Sequence, residues 1–551
     1  MSVESCDVLV VGAGPTGLAL AAQLTASGVS CRVVDRGSDR AQESRALAVQ
    51  PRTLEVLQPF GLAAEMVAAG RPAAQARLHA GRRTTVVTLF DLGMSDTAHP
   101  SLLFLSQART EALLLDHLAA AGVRVERRTA LEGLTDDGNA VICRLRGPDG
   151  AAVGVRARYV VGCDGARSTV RRLSGIGFPG GRYPQTFLLA DLEADGLERG
   201  ALHAFIRRAG PVLFFPLGAP ATWRLISMRA DVGPVGDAAE AEPTVAGPVA
   251  LEELQAVVDR ATGGAVRLHD PVWATSFSVH HRHASAYRAG RAFLAGDAAH
   301  VHSPVGAQGM NTGIQDAVNL GWKLALVLRA GAPEELLDSY EAERRPVGAK
   351  VVRFTDRAFT AATSSGALAQ LVRAEVVPRV LPVVLRSRRG RAAAFRTVSQ
   401  LGVTYRGSPA VDPAGSRRRP RPGDRLPDAR VVREGQEGWL QEGLSQRAFT
   451  LLLCGTPGAW DERALAALRE RCGELLQVHR LDRVPAPGVL ADPTGRALAA
   501  LGVRCCANLL VRPDGHVATR EDSIDLTRAQ AHLARWLPSP APATRTDRSR
   551  G

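Results

Sequence analysis

Apolar and polar positions follow two different periods along this chain, and the changes of period mark its parts. Residues 6–11, Cys-Asp-Val-Leu-Val-Val, form a short apolar run rich in β-branched side chains, the pattern of a strand buried on both faces. A glycine-rich turn follows, then an apolar helical stretch from Leu18 to Ser27, stopped by Gly28, and a second apolar run from Ser30 to Val34, closed by Asp35. Together they predict a βαβ unit. A loop and helix over Ala41–Gln58 end near Phe60-Gly61; Leu102–Leu105 predicts a strand and Gln107–Ala121 an amphipathic helix stopped by Gly122. Val123–Glu126, Ala140–Leu145 and Val153–Ala157 alternate like antiparallel strands, and residues 158–175 return to a buried strand and a glycine-containing turn.

Between residues 183 and 285 the character changes to short strands, such as Thr186–Leu192, Val212–Pro216 and Trp223–Met228, separated by Gly/Pro/Ala loops. Ala292–Leu294 is again a buried strand, and Gly309–Leu328 predicts a long helix. Residues 366–400 are helical and basic, and Ser408–Arg430, rich in Pro, Gly and Arg, is the expected linker. Beyond it, the strands Phe449–Leu453, Val478–Leu481 and Asn508–Arg512 alternate with the helices Glu462–Cys472 and Thr527–Trp536, a small α/β domain of its own.

Composition narrows the function classes. A chain of 551 residues with 45% hydrophobic and 22% charged side chains has the balance of a soluble globular protein of several domains. No run is long enough to span a membrane, and the apolar N-terminal segment is broken by Gly12, Gly14, Pro15 and Gly17 and lacks a basic leader, so a cytoplasmic location is expected. The net charge of +13 invites a nucleic-acid partner, but the basic residues are scattered and almost all Arg, with Lys323 and Lys350 the only two lysines, and no nucleic-acid motif accompanies them. The eight cysteines form no CxxC pair and no zinc-ligand spacing, so reduced thiols and no metal site are expected.

Three motifs carry chemistry. In Gly12-Ala-Gly-Pro-Thr-Gly17, Gly12 permits the tight turn, Gly14 lets the backbone approach a pyrophosphate and Gly17 lets helix and strand pack; Pro15 and Thr16 open the helix whose N-terminus would meet the phosphates. Asp35 is placed to accept hydrogen bonds from an adenosine ribose. The second motif, Asp164-Gly165, follows a buried strand, with Ser168 a plausible N-cap. The third, Gly296-Asp297, ends another strand and would bring a carboxylate to a polyol; the small residues from His302 to Ala317 after it would let the backbone press against a flat ring.

These motifs, at this spacing, resemble the class A flavin-dependent monooxygenases of the para-hydroxybenzoate hydroxylase fold, and within them the hydroxylases that tailor aromatic polyketides. The resemblance implies an α/β and α+β architecture: a Rossmann-like FAD-binding domain (1–75, 103–175 and 286–365), a mostly antiparallel substrate domain (76–102 and 176–285), a helical linker (366–408) and a thioredoxin-like α/β domain (409–540). It implies FAD as cofactor, NADPH or NADH and O2 as co-substrates, and hydroxylation of a polycyclic aromatic substrate through a flavin C4a-hydroperoxide. The partners implied are a small aromatic molecule, no nucleic acid and no membrane, in a monomer or homodimer.

Carried over by position, Asp35 with its neighbour Arg36 would serve the ADP ribose, Arg45 would contact FAD, and Gln107 would lie near the ribityl chain and phosphate. Asp164 would meet FAD and the nicotinamide cofactor, Asp297 would hold the ribityl hydroxyls, and Gly309, Met310 and Asn311 would offer backbone N–H groups to the flavin ring. Pro304, bordering the reactive edge, and Arg45 are the residues expected closest to catalysis. The family's usual Gly-Gly-Gln-Gly reads Gly306-Ala307-Gln308-Gly309 here. Phe205, Phe214, Phe215 and Trp223 are candidates either for a pocket taking a flat polycycle or for core, and His300 and His302 for structural or acid–base roles. Baeyer–Villiger oxygenation of a ketone, or a flavin protein that sequesters an intermediate without turnover, stand as alternatives.

Overall fold

The structure is a computed structural model and describes residues 4–39, 46–72, 75–80, 83–87, 94–207, 210–218, 221–229, 245–303, 306–363, 388–455 and 460–538. The chain divides into two compact units: Met1–Thr25, Ser30–Gly321 and Tyr340–Gly402 form one, and Ala26–Val29, Trp322–Ser339 and Val403–Gly551 the other.

Among the described residues the first unit is built on two large sheets and a small three-stranded one. In one of the large sheets, β1 (Glu4–Val11) lies between β2 (Cys31–Val34) and the strand Ala152–Gly162, parallel to both. The helix α1 (Pro15–Ala26) makes the crossover that parallel pairing demands. Val8–Val10 and Val160–Val161 are fully buried, which is why these strands read as unbroken apolar runs. Two expectations are corrected. Val153–Ala157 and the run after it are one strand, antiparallel to Val141–Arg146 over its first half and parallel to β1. Val125–Glu126 pairs parallel with β2, because the helix Gln107–Ala120 carries the chain across before it enters.

The second sheet has nine strands among the described residues, crossed by the long antiparallel pair Gly180–Asp195 and Arg267–His283. Its two faces differ. Along Gly210–Pro216 and Trp223–Met228, Val212, Phe214, Trp223 and Leu225 point to one side and are buried against Leu254, Val257 and Val258 of the helix Leu251–Thr262. Leu213, Phe215, Ile226 and Met228 point to the other and are only half-buried. The alternation follows from the two-residue period of a strand.

In the second unit seven strands among the described residues form a mixed sheet with Phe449–Cys454 parallel to Leu476–Asp482 and antiparallel to Ala507–Val511, a thioredoxin-like arrangement. Ser408–Arg430 is not a linker. Ser416 N donates to Arg520 O, Arg520 Nη1 donates to Pro420 O, and Arg406 grips Asp424 with both guanidinium arms, so the prolines and glycines here shape packed loops of this unit. Residues 364–387, most of the expected helical linker, lie outside the described residues.

Candidate cofactor site

The parallel register sets Val11 opposite Gly162, so the turns after β1 and after Ala152–Gly162 emerge side by side. Gly12 has φ +104°, and a Cβ there would run into the Cys163 carbonyl; a Cβ on Gly17 would overlap Gly12 O. Around Gly14 nothing lies within 4 Å of where a Cβ would stand. Two glycines therefore let chain segments touch, and the third leaves a cradle open at the start of α1, where free N–H groups face outward.

Asp35 ties this turn to its neighbour: Ala13 N donates to Oδ2 and Gly37 N to Oδ1, both at 2.7 Å. Each oxygen keeps a second lone pair for a ribose hydroxyl. Arg36 is exposed beside it. Pro15 is buried in the first turn of α1, and the Thr16 side chain packs against Gly296 and Gly313, where a Cβ on Gly296 would lie 2.5 Å from Thr16 Oγ1. The first and third motifs thus meet at Thr16.

Asp164 accepts from Thr169 N at 2.6 Å and Val170 N at 3.3 Å, and Ser168 caps the same short helix through Arg171 N at 3.0 Å, as its position predicts. Its other oxygen, Oδ1, is buried without a partner. Burial raises the carboxyl's pKa, against the hydrogen bonds from Ser168 and Thr169 that lower it. Asp297 stands exposed in the turn Gly296–Ala298, its Oδ1 3.8 Å from where a Cβ of Gly309 would be. The helix Gly309–Ala330 begins there, so the first-turn N–H groups of Gly309, Met310 and Asn311 lie beside Asp297.

Two of the expected site residues have side-chain partners within the protein. The Asn311 side chain is buried and structural: Nδ2 donates to Ala48 O and Ala307 O at 2.8 Å each, and Oδ1 accepts from Gln50 N at 2.8 Å. Gln107 gives its amide to Glu111 of its own helix at 2.8 Å, while its backbone N–H reaches Ala46 O. Arg45 and Pro304 lie outside the described residues.

Of the aromatic candidates, Phe205, Phe214 and Trp223 sit in the core against the helix Leu251–Thr262, so packing accounts for all three. Phe215 alone is on the opposite face, with Leu202, Leu217, Ala307 and Val398 around the buried Leu47, Ala48, Leu102 and Phe104.

Two features had no sequence signal. Gln50 Nε2 donates to Gly306 O (3.2 Å) and Ala307 O (3.3 Å), and Gln400 Nε2 to Gln308 Oε1 (2.5 Å) and Thr312 Oγ1 (2.8 Å). Their partners are up to 257 residues away. Behind Gly296, Asp316 accepts from Arg344 Nε at 2.6 Å, pairs with His300 Nε2 at 2.9 Å, and accepts from Gly296 N at 3.0 Å. All three side chains are fully buried, which makes His300 a scaffold residue. His302 donates from Nδ1 to Ser303 O at 2.9 Å, and burial, with His300 nearby, lowers its pKa to about 4.

An open cradle at Gly14, a buried acceptor on Asp164 and an exposed carboxylate at a helix start fit a long dinucleotide, and the fold and site define a flavin-dependent oxidoreductase. Residues 5–355 match the FAD binding domain family and residues 419–540 the aromatic-ring hydroxylase C-terminal family. The chain belongs to the FAD-dependent aromatic-ring monooxygenases. It is 37% identical over 544 residues to 6-methylpretetramide 4-monooxygenase of Streptomyces rimosus, covering 96% of this chain and 93% of that one. It is 35% identical to anhydrotetracycline monooxygenase of the same organism, covering 97% and 99%. The solved aklavinone-11 hydroxylase, in complex with FAD and aklavinone, is similar with a TM-score of 0.76 at 29% identity, covering 98% of this chain and all of that one. The chain is thus an FAD enzyme that consumes O2 and NAD(P)H.

Proposed function

We propose that this monooxygenase hydroxylates a polycyclic phenol of the aromatic polyketide type, with the substrate lying between the Gly306–Asn311 turn and the half-buried face of the nine-stranded sheet. The observation that supports this most is the convergence of Gly12–Gly17, Asp164, Gly296-Asp297 and the start of the helix Gly309–Ala330, with the apolar Phe215 face beside Ala307. When bound, FAD supplies the oxygen-activating chemistry, and the protein binds, orients and shelters.

In this reading the N-terminus of α1 holds the pyrophosphate over Gly14, and Asp35 takes the ribose, with Arg36 at its side. Asp164 offers its spare oxygen to a cofactor hydroxyl, and Asp297 takes the ribityl hydroxyls. The N–H groups of Gly309, Met310 and Asn311 face the flavin carbonyls, while Pro304, Arg45 and Gln107 complete the flavin's surroundings. The half-buried sheet face excludes water from the reacting ring. The protein acts as a monomer or homodimer in the cytoplasm, with no nucleic-acid or membrane partner.

The test is to purify the protein, record its visible absorbance, and follow NADPH and NADH oxidation against a panel of polycyclic phenols with mass spectrometry of the products. A yellow protein that adds one oxygen as a hydroxyl is expected. A colourless protein that takes up no FAD, or a lactone as product, overturns the reading.

A further inference from the structure

Ala307 stands in the left-handed region, with φ +51°. An L-residue with a Cβ is disfavoured there, and such strain persists only where the surroundings impose it. Here they do. The Ala307 carbonyl accepts from Asn311 Nδ2 at 2.8 Å and from Gln50 Nε2 at 3.3 Å. The next residue, Gln308, is anchored through Nε2 to Val398 O at 2.9 Å. A methyl on a loose turn would move aside, but this one is held from both sides.

The methyl packs against the buried Leu47, Ala48, Leu102 and Phe104, the same cluster that Phe215 packs against. That ring is met edge-on by Phe104, with centroids 5.8 Å apart and planes at 74°, and it is only half-buried. A half-buried phenyl ring with an aromatic neighbour offers a partner for another flat ring. Leu202, directly across from Phe215 on the neighbouring strand, extends it.

We propose that the Ala307 methyl sets the clearance between the turn beside the flavin and the Phe215 platform, and so selects flat fused rings over puckered ones. The proposal rests on the reading of the enzyme as an oxygenase of polycyclic phenols, and names the residue by which that site measures its substrate's thickness. Removing one methyl group from such a slot changes discrimination by about tenfold.

The experiment titrates oxidised, FAD-loaded protein with 1-naphthol, which is flat, with 5,6,7,8-tetrahydro-1-naphthol, which has the same phenol and a puckered second ring, and with 1-hydroxyanthraquinone, following the flavin absorbance change. Wild type is expected to favour 1-naphthol over its tetrahydro analogue. Ala307→Gly is expected to reduce that preference about tenfold and to melt at a higher temperature, its strain relieved. Ala307→Val is expected to weaken all three ligands. An unchanged preference in Ala307→Gly, with FAD retained, overturns the proposal alone. Wild type that binds neither 1-naphthol nor 1-hydroxyanthraquinone overturns the polycycle reading and this proposal with it.

Discussion

At the scale of single residues, the three glycines of the first turn separate folding from cofactor binding. Gly12→Ala puts a methyl into the Cys163 carbonyl at φ +104°, and a loss of about 2 kcal/mol or more in stability is expected by chemical denaturation. Gly14→Ala meets nothing within 4 Å, so it should melt like wild type yet bind FAD more weakly, as read by flavin retained on a desalting column. Equal loss of stability in both variants would show that the cradle is ordinary packing. Asp316→Asn leaves Arg344 buried without its counter-charge and should cost about 3–5 kcal/mol. The tight turn at Gly12 was legible in the sequence because a turn motif is local. The sequence hid Gln50 and Gln400, because a glutamine's partner across 257 residues leaves no periodic trace.

At the scale of elements, the strand Gly210–Pro216 carries neighbouring aromatics to opposite sides. Phe214 is fully buried against the helix Leu251–Thr262, and Phe214→Ala should cost about 3–5 kcal/mol of stability. Phe215→Ala, half-buried on the other face, should change thermal stability much less and instead raise KM for the aromatic substrate. If Phe215→Ala unfolds the protein as Phe214→Ala does, the platform is core. The sequence placed both rings in one strand and left each as pocket or core. It could not say which side was covered, because that depends on a helix some forty residues later in the chain. The βαβ unit, the long helix and the small C-terminal α/β unit were legible from their periodicity, and its thioredoxin-like type only from the resemblance. The linker expectation failed because Pro and Gly mark turns equally well in packed loops and in open ones.

At the scale of the whole molecule, stability should depend on pH through buried histidines. His302 and His532 have pKa values lowered to about 4 by burial, from 6.5. Between those values the unfolded chain binds protons that the folded one refuses, so stability should fall as pH drops from about 6.5 to about 4. Asp316 acts in the same sense. Burial would raise its pKa, but Arg344 and His300 outweigh it and hold it below the ordinary value, so its contribution is lost as pH falls through the depressed value. A melting temperature flat between pH 6.5 and 4 would contradict the histidine reading, whereas the loss from Asp316 belongs below pH 3.8. In the second unit, Cys454 is buried, with its thiol pushed up to about 12, and Cys505 is exposed. Alkylation with iodoacetamide should therefore label Cys505 and leave turnover unchanged.

The nine-stranded sheet, sealed by a helix on one face and leaving Leu213, Phe215, Ile226 and Met228 half-buried on the other, has a consequence for how this enzyme can be altered. Leu213, Phe215, Ile226 and Met228 form a set that can be varied together while Phe214, Trp223 and Leu225 keep the sheet standing. A combinatorial library over those four positions should yield mostly folded, yellow proteins with differing appetites. The same library on the sealed face should yield mostly inclusion bodies. The pleat acts as a bulkhead: change on the wet side does not flood the dry one.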